Sequence, residues 1–164
     1  MIFPVGIALG SNQGDRHAEL NAGITFLRSF SFQGQLRESP RLETAPVDCP
    51  PGSPPFVNAV AEIKLDPAVI PPRELLQRLQ AFEQSRGRPQ HRAVNAPRPL
   101  DLDVLYYGEL IIQESDLVIP HPRIGQRRFV LEPLARLSPE LILPGQTKTV
   151  GELFNNIRNQ EPQI

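Results

Sequence analysis

The chain alternates strand and helix signals in the order strand, helix, strand, strand, helix, strand. This order predicts an α+β fold, a ferredoxin-like α/β sandwich on a mainly antiparallel sheet. Three observations carry that expectation. Residues 56–65 alternate with a period of two, two segments carry one-sided apolar stripes, and the 164 residues show no internal repeat, low-complexity tract or domain boundary. Residues 1–164 are therefore expected to form one domain, and a 40% hydrophobic content is enough for a single core.

Ile2–Leu9 reads as the first strand, and the turn Gly10-Ser11-Asn12-Gln13-Gly14-Asp15 leads into a helix over Arg16–Arg28. Asn12 or Asp15 is placed to cap that helix, and Leu20, Ile24 and Leu27 give it an apolar face. Phe32–Glu43 and Phe56–Leu65 read as strands. In the latter, Val57, Ala59, Ala61 and Ile63 alternate with Asn58, Val60, Glu62 and Lys64. The connection Thr44–Pro55 holds prolines at 46, 50, 51, 54 and 55, too long and too proline-rich for a hairpin turn and therefore expected to be functional. A second helix follows Pro71-Pro72, with Leu75, Leu76, Leu79 and Phe82 on one side and Gln80 and Glu83 three apart on a shared face. A short hairpin around Gly108-Glu109, a helix near Val130–Arg136 and a last helix from Gly151 complete the expected elements.

Chemistry concentrates in the strand Leu100-Asp101-Leu102-Asp103-Val104-Leu105-Tyr106. Side chains alternate across a strand, so Asp101 and Asp103 are expected on one face, ~7 Å apart at Cα, with Leu100, Leu102, Val104 and Tyr106 on the other. Two carboxylates so placed repel unless cations lie between them, and Mg²⁺ shared with substrate phosphates is the usual solution. The plainer alternative is a solvated pair with nearby arginines as counterions. The flanks favour phosphate chemistry: Arg86, Arg88, His91, Arg92 and Arg98 precede the strand with no acid after Glu83. A second basic stretch, His121 to Arg128, lies between Asp116 and Glu132. Arginine's planar fork donates two parallel hydrogen bonds to phosphate and keeps its charge. With 17 Lys+Arg against 18 Asp+Glu, the net charge of −1 suits a small polyphosphate better than a nucleic acid.

Other features are plainer. A single cysteine, Cys49, excludes an internal disulfide and a cysteine-based zinc site, and reads as an incidental thiol. There is no apolar run of membrane-spanning length and no charged start of a signal peptide, so a cytoplasmic location without a membrane partner is expected. The Gly10–Gly14 turn fits neither glycine-rich phosphate template and is read as structural. His17 reads as an idle surface residue, whereas His121, held between Pro120 and Pro122 in a basic stretch, is a candidate ligand contact.

Ala8-Leu9-Gly10-Ser11-Asn12-Gln13-Gly14-Asp15, Pro97-Arg98-x-Leu100-Asp101-Leu102-Asp103, Pro120-His121-Pro122-Arg123 and Phe129-Val130-Leu131-x-Pro133-Leu134 together resemble the 6-hydroxymethyl-7,8-dihydropterin pyrophosphokinases of folate synthesis, in order and over nearly the whole chain. The resemblance implies a ferredoxin-like fold, ATP as co-substrate, two Mg²⁺ ions, and transfer of the β,γ-pyrophosphate of ATP to the pterin hydroxymethyl oxygen with release of AMP. It implies that Asp101 and Asp103 hold the metals, and that Arg88 and Arg98 neutralise the transferring group. Gln80, Glu83, His121 and Arg127, with the two arginines, match positions around ATP. Thr44, Pro46, Val47, Phe56, Asn58 and Phe129 match a pterin pocket in which two aromatic rings sandwich the heterocycle and Asn58 reads its edge. A monomer is expected. Two other classes stay open: a non-enzymatic ligand-binding module of the same fold, for which the aspartates would be dispensable, and another Mg²⁺-dependent nucleotidyl or phosphoryl transferase.

Family members usually carry Trp-Gly before the Pro-Arg pair, where this chain has Asn95-Ala96, and commonly a second arginine where it has Gln90, with His91 and Arg92 nearby. A large aromatic in a closing loop buries ~150–250 Å², which asparagine does not offer. Asn95→Trp combined with Ala96→Gly should therefore tighten ATP and enlarge a pre-steady-state burst of AMP. Titration calorimetry and rapid-quench kinetics check this, and unchanged affinity and burst would show that another residue has taken over the role.

Overall fold

A computed structural model describes residues 1–44, 51–52, 54–87 and 99–160. The strands are β1 (Phe3–Ser11), β2 (Leu36–Glu38), β3 (Leu42–Thr44), β4 (Phe56–Leu65), β5 (Asp101–Tyr107), β6 (Ile112–Gln113) and β7 (Val118–Ile119). The helices are α1 (Arg16–Phe30), α2 (Pro72–Ser85), α3 (Arg128–Leu137) and α4 (Val150–Gln160). The main sheet runs β2-β4-β1-β5, with β3 also on β4, and every pairing is antiparallel. The fold class read from the sequence is the one observed.

Both faces of the sheet are covered. Val5, Ile7, Leu9, Ala59, Ile63, Leu102 and Val104 meet Leu20, Leu27, Leu75 and Leu79 of α1 and α2 in one core. Val60, Leu105 and Tyr106 meet Val130, Leu131, Leu134 and Phe154 of α3 and α4 in the other. The expected alternation in β4 is thus real, but it separates two cores rather than a core from water, and little of the strand is exposed. The start of α1 is set by Asp15, whose carboxylate accepts from Ala18 N–H at 3.0 Å; of the two cap candidates, Asp15 makes the cap.

Four expectations need correction. The single strand Phe32–Glu43 is a 3-10 turn at Phe32–Gly34 followed by β2 and β3, which are separated by Ser39-Pro40-Arg41. Pro40 has no N–H for a ladder, and Ser39 holds the gap: its N–H donates to Val60 C=O (2.8 Å), and its hydroxyl accepts from Val60 N–H (2.9 Å). The hairpin is β6–β7, beyond the Gly108 turn rather than around it. The first strand runs on through Gly10 and Ser11, which belong to β1 and not to the turn. Finally, the β1–β5 register shifts between Gly6, opposite Tyr106, and Ile7, opposite Val104, leaving Leu105 as a bulge. The extra residue puts Tyr106 on the same face as Asp101 and Asp103, opposite to the expectation from strict alternation. Tyr106 crosses β1 over Gly6, where a Cβ would lie 2.2 Å from its ring, and its hydroxyl donates to Glu62 at 2.6 Å. Arg37 of β2 bridges Glu62 (3.0 Å) to the Ser138 hydroxyl (2.9 Å) after α3.

Tyr107, on the other face, is fully buried and donates to Ile70 C=O at 2.6 Å. Burial is the main cause pushing its phenol up to about 12. Because the folded value is raised, this contribution to stability is complete below the ordinary phenol value near 10 and is lost as pH rises from there towards about 12. Denaturant unfolding followed between pH 8 and 12 should show a fall in stability above pH ~10 that is shallower in Tyr107→Phe.

Candidate functional site

Residues directly opposite in an antiparallel pair share a face. Register therefore lays out the site: Leu42, Asn58, Gly10 and Asp101 form one row across β3, β4, β1 and β5, and Val60, Ala8 and Asp103 form the next. Thr44 and Phe56 face one another two residues along from the first row, on the same side of the sheet. The described residues matched to the pterin pocket on β3 and β4 thus share one face, and one end of it, with both aspartates. Only β1 separates Asn58 from Asp101, which places their backbones about 10 Å apart.

Gly10 makes this closeness usable. A Cβ there would lie 3.0 Å from Asn58 Oδ1 and 3.5 Å from the Phe56 ring, so both side chains lean over β1 towards β5. Sequence reading assigned Gly10 to the turn and missed this role. The available signal was a glycine continuing an apolar strand, which marks close approach. Asn58 is 7% exposed, and its amide donates to Thr44 Oγ1 at 2.6 Å, which orients its side chain. Phe129, in the first turn of α3, packs against the second core, with the Arg127 guanidinium 5.6 Å from its ring centroid.

Asp101 and Asp103 are half-buried, and no cluster of three or more His, Cys, Asp or Glu side chains suited to a metal occurs among the described residues. Two carboxylates in neighbouring rows of one sheet face suit a hard cation that keeps water and phosphate oxygens in its shell. Between them, Leu102 N–H donates to Glu83 Oε2 at 2.7 Å. Glu83, at the end of α2, is 6% exposed, whereas Gln80 one turn earlier is exposed. The two expected neighbours therefore face different surroundings, and Glu83 braces the aspartate strand by its backbone.

His121 follows the cis Ile119-Pro120 bond, and its N–H donates to Leu105 C=O in the β5 bulge (2.8 Å). Its Nδ1 accepts from Arg123 N–H (3.2 Å), which leaves Nε2 as the hydrogen-bearing nitrogen of the neutral ring. Burial, then Arg127 and Arg123, hold the imidazole below its ordinary value, against the opposing pull of Asp101. His121 is thus a neutral donor in a cationic setting. His17, expected to be idle, has its ring 3.1 Å from the Arg41 guanidinium. Arg86 is committed to Glu19 through two 3.0 Å contacts. Arg88, Arg98, Pro46, Val47, Cys49, Gln90, His91, Arg92, Asn95 and Ala96 lie outside the described residues.

Glu83→Ala should leave the buried Leu102 amide without its carboxylate, costing about 1–3 kcal/mol of stability, and should lower turnover because β5 carries both aspartates. Glu83→Gln, which keeps an oxygen for the amide, should recover most of the stability in denaturant titrations.

Three comparisons bear on this site. Residues 6–139 match the model of the 7,8-dihydro-6-hydroxymethylpterin-pyrophosphokinase (HPPK) family. A Haemophilus influenzae protein named 2-amino-4-hydroxy-6-hydroxymethyldihydropteridine pyrophosphokinase is 37% identical over 155 residues, covering 94% of this chain and 93% of that one. The folic acid synthesis protein fol1 of Schizosaccharomyces pombe is 31% identical over 154 residues, and there the match spans only 20% of the longer protein. Among solved structures, the A437G HPPK-DHPS of Plasmodium falciparum with STZ-DHP superposes with a TM-score of 0.75 at 12% identity, covering 98% of this chain and 46% of that one, a likeness of fold. With a family match over most of its length and a relative aligned nearly end to end, the chain belongs to the 7,8-dihydro-6-hydroxymethylpterin-pyrophosphokinase family.

Proposed function

We propose that this chain transfers the β,γ-pyrophosphoryl group of ATP to the hydroxymethyl oxygen of 6-hydroxymethyl-7,8-dihydropterin, a step of folate biosynthesis. The hydroxymethyl oxygen bonds to the β-phosphorus, the bond from that phosphorus to the α,β-bridging oxygen breaks, AMP leaves, and the hydroxyl proton is released. The observation that supports the reading is the row Asn58–Gly10–Asp101, in which the residue read as the pterin contact lies one strand away from the carboxylate pair. In this reading Thr44 orients Asn58, Asn58 reads the pterin edge, and Phe56 and Phe129 stack on the ring. Pro46 and Val47 are assigned to the same substrate. Gln80, Glu83, His121 and Arg127 serve ATP, with Glu83 acting through the Leu102 amide and His121 donating from Nε2.

Asp101 and Asp103 would hold the Mg²⁺, two ions in this proposal, whose chemistry when bound is to neutralise phosphate oxygens and acidify the attacking hydroxyl. Arg88 and Arg98 stabilise charge that develops during transfer. No helix among the described residues is long and apolar enough to cross a membrane, and the near-neutral charge gives no general polyanion surface; a monomeric cytoplasmic enzyme without nucleic-acid partners is proposed.

Incubation with ATP, Mg²⁺ and the reduced pterin should yield AMP. ADP would indicate another phosphoryl transferase, and no nucleotide product would indicate a binding module. Asp101→Ala and Asp103→Ala should each lower turnover at least a thousandfold, about 4 kcal/mol, with the fold intact by circular dichroism. Near-normal rates at saturating Mg²⁺ would overturn the metal assignment. Arg88→Ala should depress kcat far more than it weakens ATP binding, and equal losses would mean that Arg88 only anchors the nucleotide.

A further inference from the structure

We propose that Arg16 is a positioning residue for the pterin site, joining the two chain ends that leave and re-enter the sheet beside the pocket. The proposal rests on the pterin reading of Thr44, Phe56 and Asn58. Asp15 caps α1, so Arg16 opens the helix, and its Nη1 donates both to Glu43 Oε1 (2.9 Å) and to Pro55 C=O (3.0 Å). Glu43 immediately precedes Thr44, and Pro55 immediately precedes Phe56. Thr44 and Phe56 face one another in the β3–β4 register, and Thr44 Oγ1 accepts the Asn58 amide. One guanidinium nitrogen therefore ties the Glu43 carboxylate, next to Thr44, to the Pro55 carbonyl, next to Phe56, without itself being one of the proposed pterin contacts.

The strand it steadies needs an outside anchor. β3 is three residues long, pairs among the described residues only with β4, and is followed by the long connection to Pro55. Its other end is held to the same helix: the Arg41 guanidinium donates to Asn21 Oδ1 (2.6 Å) and His17 C=O (3.3 Å). Two arginines thus moor β3 to α1 at both ends, and Arg16 moors the end that carries Thr44. Arg16 and Glu43 are partly and well exposed, so the pair adds little to global stability. Its loss should appear as a looser pocket, not a weaker fold. The described residues proposed to serve ATP and its metals lie on α2, on β5 and beyond β7, away from the Glu43–Pro55 tie, so the effect should be confined to one substrate.

The test measures pterin affinity by fluorescence titration and steady-state constants for both substrates. Arg16→Ala should raise Kd and KM for the pterin about tenfold, with KM for ATP within twofold of wild type, kcat falling far less than pterin affinity, and an unchanged melting temperature. Arg16→Lys, whose ammonium can still donate to both acceptors, should recover to within about threefold. Adding Glu43→Ala to Arg16→Ala should cost little more, since both act through one contact. Unchanged pterin affinity in Arg16→Ala, or pterin and ATP constants rising together, would overturn the proposal. Should Arg16→Ala not fold, Glu43→Ala decides: a two- to fivefold rise in pterin Kd alone supports the role, and no rise overturns it. Wild-type protein that makes no AMP from ATP and the pterin would overturn the functional reading itself, an outcome distinct from wild-type activity with Arg16→Ala unaltered.

Discussion

The site depends on what β1 does not carry. One face of this central strand presents Val5, Ile7 and Leu9 to the core under α1 and α2; the other, beyond Pro4, presents Gly6, Ala8 and Gly10. Pairing on both sides fixes the strand, and the missing side chains leave a shallow lane along it. Larger side chains from the flanking strands fill the lane from opposite directions, Tyr106 over Gly6 from β5, and Asn58 with Phe56 over Gly10 from β4. A branched residue at either glycine would push the neighbouring strand's side chain off its partner.

Along this lane, chemistry changes from structural to functional within a few residues. At the Gly6 end, Tyr106, Glu62 and Arg37 form a hydrogen-bonded group, with Glu62 only 7% exposed and its charge shared with Arg37. Burial and the adjacent Glu62 carboxylate raise the Tyr106 phenol well above its ordinary range, so it remains a donor. At the Gly10 end, the corresponding positions hold Asn58 and Asp101. The same backbone thus supports a closed polar cluster under α3 and a half-buried carboxylate pair beyond it.

Much of this was legible from residue order. Strict alternation located Phe56–Leu65 to the residue, and Asp101 and Asp103 share a face because the bulge falls after them, at Leu105. That bulge had no sequence signal, since Leu105 is as apolar as its neighbours and the slip is set by how β5 meets β1. The break at Ser39-Pro40 did carry one, in the proline, but a continuous β-rich stretch outweighed it. Glu83 was found as a nucleotide candidate by resemblance; its hydrogen bond to Leu102 comes from tertiary packing of α2 beside β5, which helical spacing alone does not encode.

That bond has a further consequence. β5 ends the order of the sheet, and an edge strand with amides open to water is a template on which another chain can add a strand. Under the proposed function this strand must stay approachable, because its carboxylates would face the phosphates and their metal. Glu83 occupies the Leu102 amide with a buried carboxylate, so an incoming strand would have to displace a charged acceptor and leave it buried without its donor. At Leu102, the brace that steadies the aspartate strand also takes up an amide that an added strand would need.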